Sequence, residues 1–262
     1  MSEAASRIEA LLRLCAQLRD PHTGCPWDRA QTPATIAPHT IEESYEVADA
    51  IASGDPARIR DELGDLLFQV LLQSQLASEQ GGFSFADVAA GLHDKLVRRH
   101  PHVFGGEAAS DSEGLTRAWE SHKAAERAAA GLDGALAGVP KALPALVRAA
   151  KLGRRAAAVG FDWPDERAVR PKIAEELRET EAALDSGDAA AIAEEFGDAL
   201  FALVNWARML KVDPEAALRA ANEKFERRFA AMEAQIAARG LVVTELSADH
   251  WERLWDAVKA AE

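Results

Sequence analysis

Apolar side chains recur every three or four residues along most of this chain, and the alternation typical of β-strands is nearly absent. Alanine, leucine, glutamate and arginine, which favour helices, dominate the composition. The clearest apolar stripes are Leu63, Leu66, Leu67, Val70 and Leu71 in one segment, and Phe196, Leu200, Leu203 and Val204 in another. We expect each stripe to be the core-facing side of a helix. The pattern therefore predicts an all-α protein.

Turn and capping residues divide this pattern into separate helices. We predict helices over about residues 3–19, 38–52, 56–79, 84–99, 113–130, 141–158, 169–185, 188–211, 214–238 and 247–261. Gly54 is placed to end one helix, Asp55 to cap the next, and Pro56 to occupy its first turn. Residues 20–28 are rich in proline and glycine and are predicted to form a loop.

A set of five carboxylates occurs twice, and each member of the second set follows its counterpart by 133 residues. The sets are Glu42, Glu43, Glu46, Glu62 and Asp65, and Glu175, Glu176, Glu179, Glu195 and Asp198. Over 41–72 and 174–205, 14 of 32 aligned residues are identical. A constant internal offset indicates a duplicated unit. We predict tandem helical-bundle modules at 1–104 and 141–262, joined by a connector at 105–140.

The carboxylate spacing favours a metal site. Residues three and four apart share a helix face, and the short Ser-Gly-Asp turn folds the two helices of each hairpin antiparallel. Converging carboxylates repel one another unless a cation lies among them, and oxygen ligands select hard cations such as Mg²⁺ or Mn²⁺. Di-iron bundles use Glu-x-x-His pairs, and no histidine here follows a glutamate by three residues. One Glu-x-x-Glu alone would be an ordinary solvated helix face, but the duplication of five acids at fixed spacing favours metal binding in at least one copy.

Charge and cysteine content narrow the function further. The formal net charge is −13, which disfavours binding to nucleic acid or to an anionic membrane. A nucleotide substrate is compatible with this charge, because a bound cation reverses the local sign. Cys15 and Cys25 suit a reducing compartment. No uncharged run approaches the length of a membrane span, and the amphipathic N-terminal stretch does not read as a signal peptide. We expect a cytoplasmic protein.

Basic groups follow each acidic hairpin. Residues 94–99 and 223–228 align at an offset of 129, and both contain a lysine and two arginines. Such cations beside a metal cluster suit a polyphosphate, although ordinary ion pairs such as Glu223 with Arg227 explain the spacing equally well. The second copy has Lys172, Asn205 and Asn222 where the first has His39, Leu72 and His93. This polar surplus favours the second copy as the active one.

Several strings together resemble a known family. They are the Glu-Glu-x-x-Glu and Glu-x-x-Asp motifs just described, Gly24–Asp28, Arg98–Phe104, Val159–Trp163 and Asn222–Phe229. They occur in order over about residues 7 to 259, and their combination is similar to that of the MazG nucleoside triphosphate pyrophosphohydrolases. The resemblance implies an all-α tandem protein, commonly a homodimer, that converts nucleoside triphosphates to monophosphate and pyrophosphate in nucleotide house-cleaning. It implies Mg²⁺ as cofactor, with Mn²⁺ as a possible substitute.

The resemblance also assigns residues. Metal ligands would be Glu176, Glu179, Glu195 and Asp198, and a possible second metal site would comprise Glu43, Glu46, Glu62 and Asp65. Substrate would be held by Lys172, Asp198, Asn222, Lys224, Arg227, Arg228 and Trp255. For the mechanism we hypothesise metal-assisted hydrolysis, with catalytic roles for Glu175 as a spare carboxylate acting as general base, for Glu176, and for Lys224 at the leaving group. Trp255 has the alternative interpretation of a core or dimer-interface aromatic, and Trp163 is more simply read as a core residue than as a base-stacking one.

Two other functions remain as alternatives. The first is a non-catalytic helical dimerisation or nucleotide-sensing module whose acidic residues hold a structural cation. The second is a helical nucleic-acid-binding protein, which the net charge disfavours. The preferred base and sugar, the phosphorus that is attacked and the number of cations are not fixed by these motifs.

Overall fold

The computed structural model describes residues 2–106, 111–129 and 131–261. Within these residues it contains twelve α-helices and one short 3₁₀ turn at Val243–Glu245, and no strand. The helices are α1 (Glu3–Leu18), α2 (Pro26–Ala30), α3 (Pro33–Ser53), α4 (Pro56–Glu79), α5 (Phe85–Arg99), α6 (Pro101–Phe104), α7 (Ser112–Ala129), α8 (Ala145–Ala157), α9 (Arg170–Ser186), α10 (Ala189–Met209), α11 (Pro214–Ala238) and α12 (Ala248–Ala260). The prediction of an all-α protein is confirmed.

The chain forms two compact units, Met1–His122 and Lys123–Glu262. We call them the first unit and the second unit. The division falls inside α7, within the segment 105–140 that was predicted as a connector. Each unit contains one of the two acidic helical hairpins, α3–α4 in the first and α9–α10 in the second.

In the first unit, α4 is the central helix and packs against α1, α3 and α5. Its buried side chains Leu72 and Leu76 meet Ile36 of α3, and Phe68 packs at the edge of this cluster. On the other side, Arg19 donates hydrogen bonds to both carboxylate oxygens of Glu79 at 2.7–2.8 Å, which ties the end of α1 to the end of α4. The acidic turns of α3 and α4 lie away from Glu79, toward the other end of the α3–α4 hairpin.

In the second unit, α10 packs against α8, α9 and α11. A separate apolar cluster joins α11 to α12 through four buried residues, Met232, Ile236, Leu254 and Val258. Trp251 and Trp255 of α12 are half-buried against this cluster. The second unit therefore consists of the hairpin α9–α10 and the pair α11–α12. They are joined by the contact of α10 with α11 and by α8, which packs against both α10 and α11.

Helix boundaries differ from the prediction at α3, which begins at Pro33 and not at Pro38. Thr32 and Thr35 form a capping box, in which each backbone N–H donates to the other residue's hydroxyl at 3.2 and 2.8 Å. This cap stabilises an earlier start, and Pro38 is accommodated inside the helix at the loss of one backbone hydrogen bond. The short helix α2 also begins within the predicted loop 20–28.

The apolar stripes are only partly core-facing, which corrects the prediction. Leu71 and Val204 are buried, but Phe196 is 57% exposed and Leu200 is 44% exposed. In the first unit Leu63 and Val70 are exposed as well. Each hairpin therefore has an outer apolar side that its own unit leaves uncovered. None of the described helices combines the length and the apolarity that a membrane crossing needs.

Candidate active site

Two turns of the same design position the acidic side chains. Gly54 and Gly187 end α3 and α9 in the left-handed conformation, with φ of 70° and 72°. The next residue caps the following helix, since the side chains of Asp55 and Asp188 each accept a hydrogen bond from a backbone N–H at 2.9 Å. The predicted roles of these turn residues are confirmed. The turns fold the hairpins so that carboxylates on the two helices of each pair converge.

In the second unit Glu176, Glu179 and Glu195 each offer a carboxylate oxygen, and these oxygens lie within 4.8 Å of one another. We call this the second cluster. Glu176 is only 5% exposed, Glu179 is exposed and Glu195 is half-buried. Loss of hydration and the negative charges of Glu179, Asp198 and Glu176 raise the pKa of Glu195. A site with three such oxygens, one of them deeply buried, has the donor set and the negative potential of a divalent cation site.

Asp198 lies one helical turn after Glu195 on α10 and is exposed. It is not a member of the three-oxygen group, but it is close enough for its charge to raise the pKa of Glu195. The structure thus brings together three of the four predicted metal ligands and places the fourth at the edge of the cluster.

Lys172 reaches the second cluster from the first turn of α9. Its Nζ lies 2.7 Å from Glu176 Oε1 and 2.9 Å from Glu175 Oε1. Hydrogen bonds to Glu176 and then Glu175 raise the pKa of Lys172 well above its ordinary value. This lysine therefore offsets part of the carboxylate charge.

The first unit has a corresponding group, Glu43, Glu62 and Asp65, whose carboxylate oxygens also lie within 4.8 Å of one another. We call this the first cluster. Burial raises the pKa of Glu43, and the charges of Asp65 and Glu46 raise it further. Glu46 therefore lies beside Glu43 but outside the three-oxygen group. His39, which aligns with Lys172, lies 3.5 Å from Glu42.

Gln69 contacts the first cluster and was not singled out in the sequence. Its side-chain Nε2 donates to Glu43 Oε1 at 3.3 Å. Gln69 follows Glu62 by seven residues and Asp65 by four, so the same helical spacing that identified the acids would have identified it. Its aligned position in the second unit is Ala202.

Apart from Lys172, the predicted phosphate-binding residues lie on α11, and most of them are exposed. Within the described part of the chain, no hydrogen bond or ion pair joins Asn222, Lys224 or Arg227 to the second cluster. The Arg228 guanidinium lies 5.4 Å from the centre of the Trp255 ring, and Phe225 packs 5.7 Å from that ring on another side. Trp255 is thus a half-buried member of the α11–α12 cluster that carries a cation on its face.

Asn205 is not part of the acidic site, contrary to the expectation that it would add a polar group there. It is 1% exposed, and its Oδ1 accepts a hydrogen bond from Arg208 Nε at 3.2 Å. Arg208 in turn forms an ion pair with Asp162, which lowers the pKa of that carboxyl group. Asn205 follows Asp198 by seven residues, so it lies about 10 Å further along the helix axis. There it faces Gly153 of α8 and not α9.

Trp163 lies in the loop that follows α8. Together with Phe161, Phe201 and Leu152 it lines an apolar cavity of about 230 Å³ beside Asn205 and Arg208. Trp163 is half-buried at this position.

The fold and the two sites define an all-α protein with an internally duplicated, carboxylate-lined helical hairpin. Residues 31–104 and 165–231 each match the MazG nucleotide pyrophosphohydrolase domain, so the domain is present twice. These segments contain the first and second clusters, respectively. The chain therefore belongs to the MazG nucleotide pyrophosphohydrolase family, and the resemblance noted from its motifs is confirmed.

Full-length relatives agree with this assignment. The chain is 49% identical over 259 residues to an Escherichia coli protein named nucleoside triphosphate pyrophosphohydrolase, with 98% of each chain covered. It is 41% identical over 263 residues to a Thermotoga maritima protein named nucleoside triphosphate pyrophosphohydrolase/pyrophosphatase MazG, with 100% of this chain and 99% of the relative covered. A Mycobacterium tuberculosis nucleoside triphosphate pyrophosphohydrolase is 36% identical over 167 residues, which cover 62% of this chain and 50% of that protein.

Proposed function

We propose that this protein hydrolyses nucleoside triphosphates to nucleoside monophosphate and pyrophosphate at the second cluster, with Mg²⁺ as cofactor. The observation that carries the proposal is the convergence of Glu176, Glu179 and Glu195 beside a lysine, in a chain whose full-length relatives bear the name of this activity. A polyanionic substrate needs cations at such an acidic site. The Mg²⁺ held by the cluster and the ammonium group of Lys172 would supply them.

The second cluster fits a hard divalent cation. Its three carboxylate oxygens lie within 4.8 Å of one another, and the charge of Asp198, one helical turn after Glu195, adds to the negative potential there. When bound, Mg²⁺ would neutralise triphosphate charge and lower the pKa of water at the site. Loss of hydration, followed by repulsion from the neighbouring carboxylates, raises the pKa of Glu195, and a cation would relieve the repulsion.

Side chains of the protein would accept the proton and bind the phosphates. Glu175 accepts a hydrogen bond from Lys172 at 2.9 Å and is partly exposed, so its carboxylate is placed to accept a proton from an attacking water. Lys172, Lys224 and Arg227 would bind the phosphates, and Lys224 would stabilise the charge that develops on the departing pyrophosphate. Asn222 and Arg228 would complete the substrate site, with Trp255 against the nucleotide. Lys172 is paired with Glu175 and Glu176, and its ammonium group has a third N–H donor for a phosphate.

A homodimer and a cytoplasmic house-cleaning role belong to the same proposal. The outer side of the second hairpin exposes Leu177, Leu184, Phe196, Leu200 and Leu203. A cluster of large apolar side chains of this kind is typical of a protein interface. Sedimentation at micromolar concentration should give the mass of a dimer, and Phe196→Glu should shift it toward the monomer.

Product analysis tests the proposal. Canonical, deoxy and oxidised nucleoside triphosphates are each incubated with the protein and Mg²⁺, and pyrophosphate and orthophosphate are measured separately. We expect pyrophosphate in equal amount to the monophosphate, abolished by EDTA and by Glu179→Gln. Glu181→Gln, an exposed neighbour on α9, is the matched control and should retain activity. Release of orthophosphate, or nucleotide binding without any turnover, would contradict the proposal, and the latter would support a nucleotide-sensing module.

A further inference from the structure

Lys211, which follows the end of α10, has a backbone conformation that lysine rarely adopts. Its φ is 58°, and among the described residues it is the only one other than glycine with a positive φ. The first unit has the same turn after α4, with Gly81 at the equivalent position and a φ of 72°. In both turns the N–H of the following residue donates to the carbonyl five residues earlier at 2.9 Å. Glycine adopts this conformation without steric cost, whereas a residue with a Cβ is strained by it, so the lysine lowers the stability of this turn.

Lys211 lines a surface cavity of about 290 Å³ that is bounded by α8, the end of α10 and the start of α11. Arg154 and Arg208 bring two more cations to the lining, and Asp213 brings a carboxylate. Arg208 is paired with Asp162, and Asp213 caps α11 by accepting hydrogen bonds from two backbone N–H groups at 3.0 Å. Among the residues that the structure describes, the side chains of Arg154 and Lys211 form no hydrogen bond or ion pair. The cavity therefore has two cations that no described carboxylate neutralises.

The cations at this cavity distinguish the second unit from the first. In a chain with a formal net charge of −13, α8 has four cations and no carboxylate. The strings 24–27 and 160–163 both read Gly-x-x-Trp and align the two units at an offset of 136, which places Leu18 at the position of Arg154. Two residues that border one cavity are thus cationic in the second unit, where the first unit has leucine and glycine. One of them also strains the backbone, and such strain is concentrated at functional sites.

We propose that this cavity is a binding site for a small phosphate-bearing anion, which Arg154 and Lys211 hold. Guanidinium and ammonium groups bind phosphate oxygens through charge-assisted hydrogen bonds. Arg208 follows Glu195 by 13 residues, so the cavity lies about 20 Å along the axis of α10 from the second cluster. The anion site is therefore separate from the proposed catalytic centre, and binding there requires neither a metal nor turnover.

Calorimetric titration of the full chain with pyrophosphate, in metal-free buffer and without nucleotide, tests the proposal. Without a metal the acidic clusters repel the anion, so they do not contribute to its binding. We expect wild type to bind pyrophosphate, and Arg154→Leu, which reproduces Leu18 of the first unit, to bind it about tenfold more weakly. A parallel titration with orthophosphate shows whether one phosphate group suffices, and the same loss for either anion supports the site.

Lys211→Gly separates anion binding from folding. It reproduces Gly81 of the first unit, removes the cation and relieves the strain, so pyrophosphate affinity should fall about tenfold while the Tm does not fall. Lys259→Gln, which removes an exposed cation of α12, is the matched control and should leave the affinity unchanged. Affinity that is unchanged in both Arg154→Leu and Lys211→Gly, or that falls equally in Lys259→Gln, would overturn the proposal. Absence of binding of both anions by wild type, or a loss seen only in Lys224→Gln, which would place the anion in the proposed substrate site, would also overturn it.

Discussion

Gly153 should be one of the most sensitive positions in the second unit. It lies in the interior of α8 and is buried against α10. A Cβ at this position would overlap Asn205 Oδ1 and lie 3.1 Å from Arg208 Nε. Asn205 has little freedom to move aside, because it is 1% exposed and its Nδ2 also donates to Phe201 O at 3.2 Å. The substitution Gly153→Ala therefore crowds this site and also breaks the Asn205–Arg208 hydrogen bond.

The size of the effect follows from three contributions. Overpacking of a close-packed site costs about 1–3 kcal/mol. A buried amide oxygen that loses its donor costs about 1–3 kcal/mol more. Alanine recovers about 1 kcal/mol through its higher helix propensity. The expected net destabilisation is about 3 kcal/mol, which corresponds to a fall in Tm of roughly 6–12 °C for a domain of this size.

Gly197→Ala is the matched control and should change stability in the opposite direction. Gly197 lies inside α10, between Glu195 and Asp198, and a Cβ there would meet nothing within 4 Å. The higher helix propensity of alanine should then raise stability by about 0.5–1 kcal/mol. Thermal unfolding followed by circular dichroism, with both variants at equal concentration, measures the difference. A Gly153→Ala protein as stable as Gly197→Ala would refute the packing between α8 and α10 described above.

Two further predictions concern charged groups of the second unit. Because Arg208 depresses the pKa of Asp162, their pair stabilises the folded state above the unfolded pKa, about 4, and this contribution disappears as pH falls through the lower folded pKa. The Tm difference between wild type and Asp162→Asn should thus be largest near neutral pH and shrink in acid; a difference that grows in acid would contradict the pairing. Lys172→Met should leave Glu176 buried without its cationic partner, so Mg²⁺ should raise the Tm of this variant more than that of wild type. Equal rises would show that Lys172 does not neutralise the cluster.

The acidic hairpins could be predicted from sequence because their signals are local. Gly187 and Asp188 specify the turn, and helical spacing then determines which carboxylates share a face. The constant offset of 133 residues showed that the hairpin is duplicated, which no single helix reveals. Convergence of Glu176, Glu179 and Glu195 follows from these local rules once the turn is known.

Other features depend on contacts between helices that spacing does not specify. Asn205 shares a face with Asp198, but two turns further along α10 its neighbour is α8 and not α9. Helical spacing does not specify the partner of Lys172, because a lysine on that face can reach either a carboxylate or a phosphate. Exposure of Phe196 and Leu200 was missed because periodicity shows which residues share a face, and not what covers that face.

The most direct test of the proposed function compares equivalent glutamates in the two clusters. Glu176→Gln and Glu43→Gln each replace a carboxylate with an amide at aligned positions. Pyrophosphate release from a nucleoside triphosphate with Mg²⁺ is measured for each variant. We predict that Glu176→Gln abolishes pyrophosphate release while Glu43→Gln retains it. Full activity in Glu176→Gln, or loss of activity in Glu43→Gln alone, would contradict the assignment of catalysis to the second cluster.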